Sequence, residues 1–262
     1  MISVLQLGTQ DYGTVLALQR KLVDLRKANQ IGDVLLLLEH HPVITLGRNA
    51  QRSNILASPE LLVQRGVEVV ECDRGGDVTF HGPGQLVGYP IFDLRAFTTP
   101  DGQRKTLGAI EFVRKMEEAL IRTCADFRIP ARRIPKLTGV WTSPATADIE
   151  PAKIAAIGIH ISRAVTSHGF ALNVNTDLSF FDLIVPCGLN AKPVTSIQRE
   201  IGSPVSLDQV AESISRNLGH VFSRQTLWLE SLDALLGNTL GVPIRPPANL
   251  RKLRGEDETF WA

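Results

Sequence analysis

Cys187 is the residue of this chain whose setting best suits covalent chemistry. It sits in Val185-Pro186-Cys187-Gly188-Leu189, a loop bounded by proline and glycine rather than an apolar stripe. A thiol on such a turn can project its sulfur and have backbone N–H groups nearby to receive an oxyanion. The alternative is a half-buried, inert cysteine. A nucleophilic thiol also needs a neighbouring cation or base that favours the thiolate. His81 and His168, each directly before a glycine, are candidates, and so is Lys153, which heads the otherwise apolar Ile154-Ala155-Ala156-Ile157. A strand-end lysine turned to solvent is the ordinary alternative for Lys153, and Lys192 reads as a loop charge. His81, His160, His168 and Cys187 could in principle bind a metal, but no pair of them has zinc-ligand spacing, so no metal site is expected.

The second unusual feature is Arg74 to Pro90, RGGDVTFHGPGQLVGYP, which holds Gly75, Gly76, Gly82, Gly84 and Gly88. Glycine is selected where φ must be positive or where another group must approach the backbone closely. Val78-Thr79-Phe80-His81 between the glycine clusters has strand composition. His81 stands at the strand's exit, before a Gly82-Pro83-Gly84 turn. A cation (Arg74), an imidazole (His81) and an amide (Gln85) are thus held on backbone suited to close approach. A tight hairpin with a solvent-exposed histidine is the plainer alternative.

The surrounding pattern supplies elements to position these groups. Residues 2–7 read as a strand and Asp11 to Lys27 as an amphipathic helix, with Val15, Leu18, Leu22 and Leu25 at helical spacing. Asp33 to Glu39 is continuously apolar, as in a strand buried on both faces. His40-His41-Pro42 interrupts it before a second strand, Val43 to Leu46. Ser58-Pro59-Glu60 opens a short helix to Gln64, and Val67 to Cys72 is a strand feeding the glycine-rich stretch. Gln85 to Asp93 reads as another strand. Thr106 to Phe127 is the longest helical pattern, with Ile110, Val113, Met116, Leu120 and Cys124 on one stripe, which assigns Cys124 to core packing. A strand is predicted around Val140-Trp141, then a pair at Lys153–Ile161 and Arg163–Asn175, and a small helix near Leu178 to Leu183. Ser206-Leu207-Asp208-Gln209 has the form of a capping box before a helix whose Val210, Ile214, Leu218 and Val221 face a core.

The chain's 262 residues, 44% hydrophobic and 21% charged, suit an ordinary globular protein able to bury a real core. A net charge of +1 provides no basic field for nucleic acid and no polybasic membrane patch. Neither a signal peptide nor a transmembrane span is expected. Three cysteines form no even framework, so free thiols and a cytoplasmic location are expected. Strands interleaved with a few helices indicate a single α+β (mixed α/β) domain.

Four blocks in order resemble the lipoyl(octanoyl) transferases. They are Arg74-Gly75-Gly76 with Thr79-Phe80-His81-Gly82-Pro83-Gly84-Gln85 and Tyr89-Pro90; Lys153-Ile154-Ala155-Ala156-Ile157-Gly158; His168-Gly169-Phe170-Ala171-Leu172-Asn173; and Pro186-Cys187-Gly188. The resemblance covers roughly residues 30–220. It implies a fold like the catalytic domain of biotin and lipoate protein ligases, a mixed sheet flanked by helices, over residues 1–226, with 227–262 as a C-terminal extension of no assigned role. It implies transfer of an octanoyl group from octanoyl-acyl carrier protein to the target lysine of lipoyl domains, those of 2-oxoacid dehydrogenase E2 subunits and the glycine cleavage H protein. Carried over, Cys187 is the acyl-thioester nucleophile and Lys153 the partner that favours its thiolate. Arg74, Gly75, Gly76, Asp77, Val78, Thr79, Phe80 and His81 would line the acyl and pantetheine site, completed by Ala156, Ile157 and Gly158 and by Gly169, Phe170 and Ala171. His160 departs from the pattern, standing where such proteins often have arginine.

This chemistry agrees with the residues. Thiolate attack on a thioester is nearly isoenergetic and the final amide lies downhill, so neither ATP, metal nor any other cofactor is required. Seven buried carbons beyond the carbonyl would contribute about 5 kcal/mol, favouring octanoyl over short acyl groups. The rival is an ATP-dependent lipoate or biotin ligase of the same fold, which would need phosphate contacts for an acyl-adenylate and would not need Cys187.

Overall fold

The apolar run Val34–Leu38 sets the architecture. In the computed structural model, which describes residues 1–98, 104–143, 146, 149–185 and 192–236, this run is the inner part of a strand buried on both faces. Leu35 and Leu37 pack into one core and Val34, Leu36 and Leu38 into another, as the two-residue period of a strand requires. Each side chain removed from water contributes about 1.5–3 kcal/mol relative to exposure, so this strand fixes a helix layer on each side of the sheet.

In chain order the elements begin with β1 (Ile2–Gln10), α1 (Tyr12–Lys27), β2 (Asp33–His40), β3 (Val43–Leu46), α2 (Pro59–Gln64), β4 (Glu68–Glu71), β5 (Val78–His81) and β6 (Gln85–Ile91). A small ribbon of β7 (Phe97–Thr98) and β8 (Arg104–Lys105) precedes α3 (Ala109–Asp126). Then come β9 (Ala131–Ile134), β10 (Leu137–Thr142), β11 (Lys153–Ser162) and β12 (Val165–Asn173). The last elements are α4 (Ile197–Ile201), α5 (Leu207–Phe222), β13 (Thr226–Trp228) and α6 (Leu232–Leu236). The main sheet has the order β13-β1-β2-β6-β12-β11-β10-β9, and a three-stranded sheet has the order β4-β3-β5. β1 runs parallel to β13 and β2, and the remaining neighbours in the main sheet are antiparallel. The main sheet is therefore mixed, with α3 and α5 on one face and α1 on the other.

Several local expectations need correction. β5 and β6 flank the Gly82-Pro83-Gly84 turn, yet they join different sheets, so no hairpin forms and His81 is buried. The turn carries the chain from the small sheet to the large one, and so sets the two sheets against each other. Ile110 is 78% exposed, on the side of the first turn of α3 away from the buried Phe112; Met116, Leu120 and Cys124 are buried. Ser206 is the N-cap residue of α5, but its side chain makes no capping hydrogen bond, so the capping box is not formed. β9 pairs with β10, and β13 pairs with β1; neither has an apolar alternation that marks it in the sequence. The boundary drawn at residue 226 falls inside β13, and Leu229, Leu232 and Leu235 beyond it pack on the α1 core. Among the described residues, no helix is long and apolar enough to cross a membrane.

Candidate active site

The glycine-rich stretch enters the structure between the two sheets and is tied down by a continuous hydrogen-bond relay. Arg74, 7% exposed, directs Nε and Nη2 onto Thr45 Oγ1 (3.1 and 2.9 Å) and Nη2 onto the Thr45 carbonyl (2.6 Å). With its oxygen accepting from arginine, the Thr45 hydroxyl donates toward His81 Nε2 at 3.4 Å. His81 Nδ1–H donates to Gln85 Oε1 (2.8 Å), Gln85 Nε2 to Asn173 Oδ1 (2.9 Å), and Asn173 Nδ2 to the Thr195 carbonyl (2.9 Å). Burial, reinforced by the neighbouring His40 and Arg74, pushes the His81 imidazole down to about 3. His81 is thus neutral at neutral pH.

Behind this relay lies a narrow cavity with about 470 Å³ of open space out to its mouth, walled by β5, β6, β11, β12 and the Arg74–Asp77 loop. Its lining includes Arg74, Gly75, Gly76, Asp77, Thr79, His81, Ala156, Ile157, Gly158, Gly169, Phe170 and Ala171. The structure therefore brings most of the residues singled out in the sequence around one space. Val78 and Phe80 are the exceptions: strand alternation turns them away, into the small-sheet core with Ile44, Leu46 and Phe181. The glycine at position 158 has a direct steric reason. A Cβ there would lie 2.7 Å from the Gly75 carbonyl oxygen, so only glycine lets the loop lie against β11. The Gly75 N–H then donates to the Ile159 carbonyl at 2.9 Å.

Tyr12, Val87, Tyr89 and His168 also line the cavity. Tyr12 could not be assigned to it from sequence, because it opens α1 and reads as part of that helix's buried face. His168, considered above as a base, has φ +55° within β12, and its N–H donates to Gln19 Oε1 at 2.8 Å. Its Nε2–H donates to Asp73 Oδ1 at 2.8 Å. Burial lowers the His168 pKa against the opposing pull of Asp73. His160 Nε2 lies 3.8 Å from the other Asp73 oxygen. Cys124 packs in the α3–α5 core, where burial pushes its thiol up to about 12.

Gly75, Gly76, Asp77, Ile157 and Gly158 also belong to a second, wider cleft of about 1160 Å³, lined further by Lys153, Lys136, Thr138 and Ile159. Lys153 is 8% exposed, with Nζ 4.8 Å from the centre of the Trp141 ring. The alternative of a strand-end lysine facing solvent fails here, since β10 and the 193–195 segment both flank it. Trp141 pairs with Lys153 across the antiparallel ladder. The Lys153 N–H donates to the Pro193 carbonyl (2.8 Å), and its carbonyl accepts from Thr195 N–H (3.0 Å). Cys187 itself lies outside the described residues. The residue two positions before it, Val185, donates its N–H to the Asn54 carbonyl at 2.7 Å. Asn54 Nδ2 in turn donates to Asp77 Oδ2 at 2.5 Å. Among the described residues, no cluster of histidine, cysteine and carboxylate side chains could hold a metal ion.

A cavity that opens beside a buried lysine, set on a mixed sheet, is the frame of this candidate active site. Residues 11–219 match the lipoyl protein ligase A/B catalytic domain family. Similar solved structures include lipoate-protein ligase A bound with ATP (TM-score 0.63, 16% identity, 86% of this chain and 88% of that one). Another is the bi-partite lipoate protein ligase of Thermoplasma acidophilum (TM-score 0.62, 17% identity, 87% and 88%). At these identities they establish the fold. The sequence relatives are far closer. An octanoyltransferase of Koribacter versatilis (strain Ellin345) is 60% identical over 257 residues, 98% of either chain. One of Solibacter usitatus (strain Ellin6076) is 51% identical over 87% of this chain and 96% of its own. The chain belongs to the octanoyltransferases, and it is an acyltransferase.

Proposed function

We propose that this acyltransferase moves an octanoyl group from octanoyl-acyl carrier protein to the target lysine of lipoyl domains through a thioester on Cys187. The observation that carries the reading is where the flanks of the 186–191 segment are tied. Val185 is held through Asn54 to Asp77, and Pro193 is held to Lys153. Asp77 and Lys153 line the same cleft. Seven residues joining two such anchors span at most roughly 25 Å, so this connectivity supports an approach of Cys187 to Lys153.

In this mechanism the Lys153 ammonium favours the Cys187 thiolate. The sulfur attacks the thioester carbonyl, the bond to the pantetheine sulfur breaks, and Lys153 gives that leaving thiolate its proton. The acyl chain lies in the glycine-walled cavity while the Cys187 thioester faces the cleft. The amine of the acceptor lysine then attacks, the bond to the Cys187 sulfur breaks, and the amine's proton returns to Lys153 as the amide forms. Bonds and protons balance without ATP or metal. The acceptors that fit are the lipoyl domains of 2-oxoacid dehydrogenase E2 subunits and the glycine cleavage H protein, whose exposed lysine can enter an open cleft.

Intact-protein mass spectrometry after incubation with octanoyl-acyl carrier protein tests the reading. An octanoyl adduct on Cys187 is expected, absent in Cys187→Ala, and Lys153→Ala is expected to slow transfer at least about 100-fold. Full activity without an adduct, together with a requirement for ATP, would establish the ligase chemistry instead.

A further inference from the structure

The far end of the acyl cavity carries polarity that an octanoyl chain has no use for. Among the described residues, three buried side-chain N or O atoms lack a hydrogen-bond partner, and two of them, Tyr12 OH and His168 Nδ1, belong to residues lining this cavity. Tyr12 is 3% and His168 2% exposed, so neither can turn to water. Three other polar groups of the wall are engaged: Arg74 with Thr45, His81 with Gln85, and Tyr89 with His40 Nε2 at 2.8 Å. Those groups can face an alkyl chain without forfeiting a bond. Tyr12 and His168 cannot. Asp73 fixes the proton of His168 on Nε2 and leaves Nδ1 as an acceptor, while the weakly bonding Cys72 thiol is what lies beside the Tyr12 hydroxyl.

Position decides what this polarity does. Gly75–Asp77, Ile157 and Gly158 are shared with the lysine-bearing cleft and so form the mouth, whereas Tyr12 and His168 line the inner cavity and not that cleft. Tyr12 stacks on His81 at 6.2 Å and His168 meets Tyr89 edge-on at 6.3 Å, so packed rings stand between the cavity and a separate cleft that His168 lines with Asp73 and His160. We propose that Tyr12 and His168 are the chain-length stop of the acyl cavity. An alkyl chain fills the apolar stretch and ends before them, because a further methylene would cover a donor and an acceptor it cannot satisfy. A chain ending in a hydroxyl would bond to both groups and be accepted at greater length.

This inference rests on the acyl-transfer reading, and two measurements separate them. The first compares kcat/KM for octanoyl-, decanoyl- and ω-hydroxydecanoyl-acyl carrier protein in the full chain and in Tyr12→Phe. The wild type is expected to favour ω-hydroxydecanoyl over decanoyl. Tyr12→Phe is expected to raise the decanoyl-to-octanoyl ratio about tenfold and to reduce the hydroxyl preference. Because each comparison is a ratio within one protein, the wild-type pair decides the matter even if the variant folds poorly. The second measures binding of the same three free acids by fluorescence displacement, which needs no transfer. Transfer with unchanged ratios overturns the stop and leaves the function standing. No transfer, with the predicted shift in acid binding, overturns the function and keeps the stop. Absence of acid binding overturns the stop.

Discussion

Lys153 depends on the residues around it more than on its own strand. Its Nζ lies over the Trp141 ring, and the glycine at 139, with φ +115°, is what lets the backbone of β10 pass so close: a Cβ there would be 2.6 Å from the Ala155 carbonyl and 3.7 Å from Lys153 Cε. The buried Glu117 secures this point, accepting the Gly139 N–H at 3.1 Å while Arg114 (2.6 Å) and Arg133 (3.1 Å) neutralise it. A cation–ring contact of this kind is worth about 0.5–2 kcal/mol, and in the proposed mechanism, which holds the amine at one angle, the loss falls on the chemical step. Trp141→Leu should lower kcat roughly tenfold with little change in KM, read by single-turnover acyl transfer; an equal loss in a bulk binding measurement would show that the ring merely shapes the cleft. The lysine was legible in sequence as a cation at the head of an apolar strand. Trp141 was not, because its partnership with Lys153 is a register across a ladder, and register is set by distant packing. The left-handed φ of His168 was equally hidden, since nothing in His168-Gly169 says which residue takes the strained conformation.

The central contact among elements is the Arg74–Asp77 loop lying against β11. It depends on the absence of a side chain at 158 and is pinned by the Gly75 N–H to Ile159 carbonyl bond. Gly158→Val would drive a branched side chain into the Gly75 carbonyl, at an overpacking cost of about 1–3 kcal/mol, and would displace the loop that walls both cavity and cleft. We expect acyl-adduct formation to fall by more than about 100-fold, while the loss of melting temperature stays within about 2–4 °C per kcal/mol. A variant that forms the adduct at the normal rate would show that the loop is free to shift. Elements with a strong period were readable: β2 from its unbroken apolar run, and α1 from its stripe closed by the Asp11 cap, whose carboxylate accepts the Thr14 N–H at 2.8 Å. β9 and β13 were not, because Ala131-Arg132-Arg133-Ile134 and Thr226-Leu227-Trp228 are short edge strands defined by the neighbour they pair with. The Gly82-Pro83-Gly84 turn was recognised, but local turn chemistry cannot reveal that the strands it joins belong to separate sheets.

At the scale of the whole molecule, the two sheets meet over a buried group of rings whose neutrality the fold requires. His40 donates Nδ1–H to the Gln10 carbonyl (3.1 Å) and accepts from the Tyr89 hydroxyl, and its ring centre lies 6.0 Å from that of His81. Burial lowers His40 to about 4 and His81 to about 3, from an ordinary 6.5. In the unfolded chain both imidazoles take up a proton as the pH falls through about 6.5, whereas in the folded protein they resist until about 4 and 3. Below pH 6.5 the unfolded state therefore binds more protons, and stability declines with falling pH. It is fully present above 6.5, and the loss from each histidine levels off once the pH has passed its folded value. Each contributes a slope of up to about 1.4 kcal/mol per pH unit, so the pair should cost up to about 4 kcal/mol by pH 5. The lowered carboxylates such as Asp93 and Asp126 act in the same direction, but from ordinary values of 3.8, and so do not account for losses above pH 5. The lowered His168 adds in the same direction; urea unfolding at pH 7.5 and pH 5.0 should show this fall, and His40→Gln should remove about half of the pair's share of the slope while lowering the stability at pH 7.5. A midpoint that stays level between the two pH values would mean that these imidazoles take up protons in the fold over the same range as in the unfolded chain, and that the wall of the cavity carries charge by pH 5.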